Sequence, residues 1–191
     1  HMAPLGVAED TEGSIRVPAA LCGISGFRPT TGRYPTHGCV PISPLFDQVG
    51  PHARTVSDLA LFDSVVSKNG QSLQPTPLKG LRFGIVREYF FTDLDPEVER
   101  LTNLALQRLK DSEAEIVETE LPGLQQLIDL ATDVIQFRDA RVALERYLKE
   151  YHTGLTLEEL IRQASPDIQK IFQQYVLPGG KNVVSEEAYA A

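Results

Sequence analysis

Glycine and proline are concentrated between residues 3 and 54, whereas helical patterns dominate most of the chain beyond residue 70. Both residue types interrupt regular helices, so the first stretch is predicted to consist of short strands joined by tight turns. Residues 24–27 and 40–42 are the expected strand pieces, because each is bounded by glycine or proline. The structural character of the chain is therefore expected to change near residue 70.

A helix is predicted to begin at Thr55. Its hydroxyl can cap the backbone, and Asp58 follows three residues on, which is the spacing of a capping box. Asn69-Gly70 marks the predicted end. The helix is expected to be well buried because its apolar residues form a broad surface; they are Val56, Leu59, Ala60, Leu61, Phe62, Val65 and Val66.

Residues 81–120 are predicted to form a β-α-β unit. Apolar and other residues alternate over 81–86, as in a strand with one covered face. Asp95-Pro96 supplies an N-cap and a first-turn proline for a helix, and Ile116-Val117 forms a second short strand. Two strands joined by a helix are expected to pair in parallel.

The remainder of the chain is predicted to be helical. A long helical pattern runs from Pro122 to about Tyr151, and a second helix opens at a Thr156 capping box, with Pro166 as an expected interruption. A further helix is expected to start at Ser185. Together these elements predict an α/β fold with a mixed sheet and flanking helices.

Charge and composition exclude several classes of function. With 18 Lys+Arg against 26 Asp+Glu, the net charge is -8, which argues against general nucleic-acid binding. No apolar run approaches the roughly 20 residues that a membrane helix requires, so no membrane partner is expected. Cys22 and Cys39 form no CxxC pair, which favours a reducing, cytoplasmic location, and Cys22 is expected to pack as a small buried hydrophobe. No metal-ligand or phosphate-loop motif is found, so no cofactor is expected.

Ser14 is the residue with the clearest chemical potential. It follows Gly13 on a glycine-flanked turn ahead of a short apolar element, where a hydroxyl can be exposed with several backbone N–H groups close by. Acyl transfer needs a nucleophilic oxygen and preorganised donors for the developing oxyanion. Most Gly-Ser pairs are ordinary turn residues or helix caps, so this pattern alone leaves both interpretations open.

A longer motif around Ser14 resembles the amidase signature family. The family pattern D-T-G-G-S-[IV]-R-x-P-[AS] is matched at residues 10–19, which read Asp10-Thr11-Glu12-Gly13-Ser14-Ile15-Arg16-Val17-Pro18-Ala19. The match continues over residues 21–33 and resumes at 47–58, similar to D-x-x-G-P-x-x-R-[TS]-V-x-D. It covers about residues 6–63, roughly a third of the chain. Phe27-Arg28-Pro29-Thr30 and Glu9-Asp10 look closest to the arylacetamide and mandelamide hydrolase branch.

The resemblance implies a Ser-cis-Ser-Lys amidase acting on a small, in this branch aryl, carboxamide. Ser14 would attack the amide carbonyl to give an acyl-enzyme and ammonia, and water would then release the acid. The backbone N–H groups of Thr11, Glu12 and Gly13 would form the oxyanion hole, and Asp10 and Arg16 would brace the loop.

The resemblance also implies a division of the chain. Residues 3–70 would be the signature core segment, 71–121 the β-α-β unit of the same domain, and 122–191 a helical region that shapes the substrate pocket. His1-Met2 is typical of the remnant of a removed affinity tag and is set apart.

Two departures from the family pattern bear on activity. Glu12 stands where the family usually has glycine; its carboxylate would oppose the oxyanion if it pointed inward, and the favoured alternative is that it points away. The catalytic Lys and bridging Ser are expected upstream of the nucleophile, yet only 13 residues precede Ser14. The chain is therefore expected to be an internal, by itself inactive, piece of a longer amidase.

Two other interpretations remain open at this point. The chain could be an inert homologue or fragment that serves as a structural or binding module. Alternatively, Ser14 could work with His37 or His52, although no carboxylate is singled out to orient either ring. Exposed sheet edges would favour a homo-oligomer in any of these cases.

Overall fold

The computed structural model describes residues 3–67 and 74–190, and the chain divides into two compact units. One unit is drawn from residues 1–73 and 132–191, and the other from residues 74–131. Strands and helices occur in both units, which confirms the α/β class.

The first unit contains a three-stranded antiparallel sheet. Its strands are β1 (Leu5–Asp10), β2 (Ser25–Gly26) and β3 (Gln48–Ala53), with β3 in the centre. The strand predicted over 24–27 is thus confirmed. The piece predicted over 40–42 is wrong, because the Ile42 N–H donates to the Asp47 carboxylate and this segment forms a loop instead of a ladder.

Helix α1 (Arg16–Cys22) was not expected within the glycine- and proline-rich stretch. The Asp10 carboxylate accepts hydrogen bonds from the N–H groups that open it, and Gly23 closes it in the left-handed conformation at φ 62°. Ala19 faces the interior, whereas Cys22 is exposed. The expectation of a buried Cys22 is therefore wrong, because it lies on the outer side of the last turn.

Helix α2 (Val56–Val66) begins as predicted, with the Thr55 hydroxyl accepting from the Asp58 N–H at 3.1 Å. The predicted end at residues 69–70 lies outside the described residues. The expected burial is wrong: Leu59 is buried, but the remaining large aliphatic residues include three that are 66–73% exposed, namely Val56, Leu61 and Val65. The inward face is shared with a polar residue, Asp63, so the buried surface is narrow.

Among its described residues, the first unit has four further helical elements: residues 132–150 of α5 (Leu124–Glu150), α6 (Leu157–Arg162), α7 (Pro166–Tyr175) and α8 (Glu186–Ala190). The Thr156 capping box, the interruption by Pro166 and the helix start at Ser185 are all confirmed. A hydrophobic cluster formed by residues of α5 and α6 lies in this unit, with Leu144, Leu148, Leu157 and Ile161 at its centre.

The second unit contains the predicted β-α-β arrangement. Strands β4 (Arg82–Ile85) and β5 (Glu115–Glu118) pair in parallel, as predicted. Helix α4 (Pro96–Asp111) connects them and is capped by Asp95, whose carboxylate accepts from the Glu97 N–H at 2.8 Å. A short helix α3 (Arg87–Phe90), which was not predicted, precedes α4. Of the helices in the described part of the chain, none combines the length and apolar character needed to cross a membrane.

Candidate active site

Ser14 lies in the turn that joins β1 to α1. The next residue, Ile15, is fully buried and anchors the turn, while Ser14 itself is exposed. The Ser14 hydroxyl forms no hydrogen bond with any residue of the two described segments, 3–67 and 74–190. An incoming group can therefore reach the hydroxyl oxygen.

The backbone N–H groups around Ser14 are also unused. Residues 11–14 lie beyond the last ladder position of β1 and before the first residue of α1. Among the described residues, no hydrogen bond employs the N–H of Thr11, Glu12, Gly13 or Ser14. Successive free donors beside an exposed hydroxyl are what an oxyanion hole requires.

Asp10 holds this turn in place. It is fully buried, and its carboxylate accepts from the Ile15 N–H at 3.0 Å and from the Arg16 guanidinium at 3.1 and 3.2 Å. Burial alone would raise the pKa of Asp10, but the hydrogen bonds from Arg16 and Ile15 and the charge of Arg16 outweigh it and lower the pKa. Asp10 therefore stays ionised and ties the end of β1 to the start of α1.

Arg28 is a second arginine at this carboxylate, and no role was predicted for it from the sequence. Its guanidinium donates to the Asp10 carbonyl, to Asp10 Oδ1 at 3.1 Å, and to the Phe46 carbonyl at 2.5 Å. In the sequence, Arg28 is distinguished only as a charged residue within the motif Phe27-Arg28-Pro29-Thr30. Its partners lie 18 residues away on either side, so the contact could not be inferred from the local pattern.

Asp47 is a further buried residue of the site that was not singled out. Its carboxylate accepts from the Thr11 hydroxyl at 2.7 Å and from the Ile42 and Ser43 N–H groups at 2.7 and 2.9 Å. The Thr11 side chain is therefore bound to Asp47, while the backbone N–H of Thr11 remains available to bind a ligand oxygen.

The Glu12 carboxylate is engaged by helix α5. With its nitrogen facing Glu12, the Gln136 amide donates to both carboxylate oxygens, at 3.1 and 3.2 Å. Burial and the nearby charge of Asp133 raise the pKa of Glu12. The side chain of Glu12 thus has a hydrogen-bond partner on α5, at Gln136.

Neither candidate histidine forms a hydrogen bond with Ser14 in the described part of the chain. His52 Nε2 lies 2.7 Å from the Ile15 carbonyl oxygen, and His37 Nδ1 contacts the Tyr151 hydroxyl. Both rings are thus occupied with partners other than Ser14, which leaves the Ser-His hypothesis without support.

A cavity of about 290 Å³ lies between the loop at 36–44 and the C-terminal half of α5. Its lining includes Tyr147 and Tyr151 but not Ser14. Tyr147 follows Gln136 by 11 residues on α5, about 16 Å along a helix axis. The tyrosine end of the cavity is therefore distant from Gln136, whereas its other end adjoins the Ser14 turn, because Asp47 also lines the cavity and accepts from the Thr11 hydroxyl.

Comparison with known proteins gives consistent matches. The Amidase family model matches residues 1–189. The chain is 37% identical to the mandelamide hydrolase of Pseudomonas putida, over 98% of this chain and 38% of that protein. It is also 37% identical to an indoleacetamide hydrolase of Allorhizobium ampelinum, over 96% of this chain and 39% of that protein.

A solved structure shares the fold as well. A peptide amidase in complex with the competitive inhibitor chymostatin superposes with a TM-score of 0.70 at 26% identity, covering 84% of this chain and 36% of that one. The chain thus spans about two fifths of the length of the proteins that it matches. With a family model that matches almost the whole sequence and relatives aligned over nearly all of it, this chain belongs to the amidase family, the amidase signature enzymes that its Ser14 motif resembles.

Proposed function

We propose that the whole protein that carries this chain is an amidase that hydrolyses a small carboxamide through an acyl-enzyme on Ser14. One observation carries the proposal: the Ser14 hydroxyl is exposed and the backbone N–H groups of residues 11–14 make no hydrogen bonds within the described residues. A nucleophile and its oxyanion donors are thus present in one turn, as acyl transfer requires.

The proposed reaction has two stages. Ser14 Oγ attacks the amide carbonyl carbon, and the N–H groups of Thr11, Glu12 and Gly13 stabilise the resulting oxyanion. Loss of one such donor typically costs about 3–4 kcal/mol of barrier. Collapse of the intermediate breaks the C–N bond, and the nitrogen leaves as ammonia after taking up a proton. Water then attacks the ester, releases the acid and returns a proton to Ser14.

The proton relay is proposed to come from another part of the whole protein. The family resemblance implies a Lys and a bridging Ser, but the six lysines of this chain all follow Ser14 and lie outside the matching motif. A neutral Lys acting through the bridging Ser would take the Ser14 proton during attack. Asp10 and Arg16, together with Arg28, would hold the turn in position during both stages.

An aryl carboxamide is the proposed substrate. The support is the 37% identity to proteins named mandelamide hydrolase and indoleacetamide hydrolase, both of which act on amides that carry an aromatic group.

Ammonia release by the whole protein from an arylacetamide tests this proposal. Ser14→Ala is expected to abolish release, whereas Ser57→Ala, an exposed serine on α2, serves as the matched control. A fluorophosphonate probe should label the wild type at Ser14 and leave Ser14→Ala unlabelled. A whole protein that releases no ammonia and takes up no probe would instead support the inert structural module.

A further inference from the structure

Glu12 places a carboxylate on the residue whose own N–H is a proposed oxyanion donor. A negative side chain that turned toward the neighbouring N–H groups would compete with the oxyanion and repel it. With its nitrogen toward Glu12, the Gln136 amide on α5 donates to both carboxylate oxygens, at 3.1 and 3.2 Å.

We propose that Gln136 is a positioning residue that holds the Glu12 carboxylate against α5 and so keeps its charge out of the oxyanion hole. The inference rests on the proposed function, because it assumes that an oxyanion develops at the Ser14 turn.

The balance of charges around Glu12 explains why one amide can decide its position. Asp133 precedes Gln136 by three residues and lies on the same face of α5, so it pushes the carboxylate away while Gln136 holds it. Asp10, on the same turn, is neutralised by Arg16 and Arg28. No cation in the described part of the chain forms an ion pair with Glu12.

Removal of the Gln136 amide should therefore release the carboxylate. Since the oxyanion exists only in the transition state, the released charge is expected to lower kcat and to leave KM nearly unchanged. A like charge a few ångströms from the oxyanion, even with strong screening, corresponds to a loss of about 10- to 100-fold in kcat.

A double-mutant cycle in the whole protein separates this role from a merely structural one. Gln136→Ala is expected to lower kcat at least about tenfold with Glu12 present. In a Glu12→Gln background, which removes the charge but retains the backbone N–H, the same substitution should change kcat by less than about twofold. Gln125→Ala is the control, because its amide donates to Asp129 one turn away on the same helix.

An equal loss from Gln136→Ala in both backgrounds, a loss confined to KM, or no loss at all would overturn the positioning role while the proposed function stands. Glu12→Gly provides a second neutral background, and inactivity of both neutral variants would also overturn it, because the carboxylate would then be required. A wild-type protein that releases no ammonia from amides would overturn the proposed function and this inference together.

Discussion

Asp10→Asn is the substitution that most directly tests how the nucleophile turn is held. The change preserves the shape of the side chain but removes a charge that is fully buried and surrounded by donors. Two backbone N–H groups, those of Ile15 and Arg16, and two guanidinium groups, those of Arg16 and Arg28, converge on this carboxylate. The side-chain amide of an asparagine at this position would direct at least one N–H toward these backbone and guanidinium N–H groups, which can only donate.

The magnitude follows from the exposure of each partner. The Arg16 side chain is 55% exposed, so its pair with Asp10 contributes at most about 1 kcal/mol. The Arg28 side chain is only 20% exposed, and hydrogen bonds to a charged group contribute about 1.5–3 kcal/mol each. Removal of one member of a buried pair typically costs about 3–5 kcal/mol, which is the loss in the free energy of unfolding expected for Asp10→Asn.

Urea titration of the whole protein measures this loss, and Asp129→Asn is the control. Asp129 is an exposed aspartate on α5 that accepts from one glutamine amide, and its replacement should change the free energy of unfolding by less than about 0.5 kcal/mol. The rate of fluorophosphonate labelling at Ser14 should fall in Asp10→Asn as the turn loosens. If Asp10→Asn were no more destabilising than Asp129→Asn, the bracing role of Asp10 would be refuted.

Two further outcomes are expected. Hydrogen bonds from the Arg33 guanidinium and the Tyr34 hydroxyl lower the pKa of Asp63 in the folded protein. The ionised Asp63 therefore contributes to stability above its unfolded pKa of about 3.9, and this contribution is lost as the pH falls through the folded pKa. The difference in melting temperature between wild type and Asp63→Asn should therefore shrink below about pH 4, and a constant difference would contradict the assignment. Leu148→Ala should lower the free energy of unfolding by about 2–5 kcal/mol, because Leu148 belongs to the buried cluster. Leu130→Ala, at a residue 71% exposed on the same helix, should lower it by less than about 0.5 kcal/mol. Equal losses of the two variants in urea denaturation would contradict the placement of this core.

The elements that were predicted correctly carry their signals within a few residues. Asp95 caps α4 by accepting from the N–H of Glu97, two residues on. The capping box of α6 is formed by Thr156 and Glu159, which are three residues apart. Periodicity was sufficient for the long helix α5 and for the alternating strand β4. Local chemistry thus determined where these elements begin.

The elements that were missed depend on partners elsewhere in the chain. Helix α1 begins where its first N–H groups meet the Asp10 carboxylate of the preceding strand. The apolar residues Val56, Leu61 and Val65 of α2 are exposed, and Leu59 and Asp63 are the residues of that helix that are buried. An apolar pattern gives the faces of a helix but not which of them meets a neighbour.

The residues of the candidate site likewise differ in whether their partners are near or distant in the sequence. Ser14 and Asp10 could be recognised because they share one contiguous motif. The roles of Arg28 and Gln136 could not, since their partners lie 18 and 124 positions away and only folding brings them together. Asp47 likewise reaches Thr11 across 36 positions.

The acyl-enzyme itself is the most direct test of the account. The whole protein should be mixed with an arylacetamide, quenched in acid within the first turnovers, digested and analysed by mass spectrometry. The account predicts that the peptide containing Ser14 gains the mass of the aryl acyl group, and that Ser14→Ala gains none. Ammonia release with an acyl group on another residue, or an unchanged rate in Ser14→Ala, would contradict it.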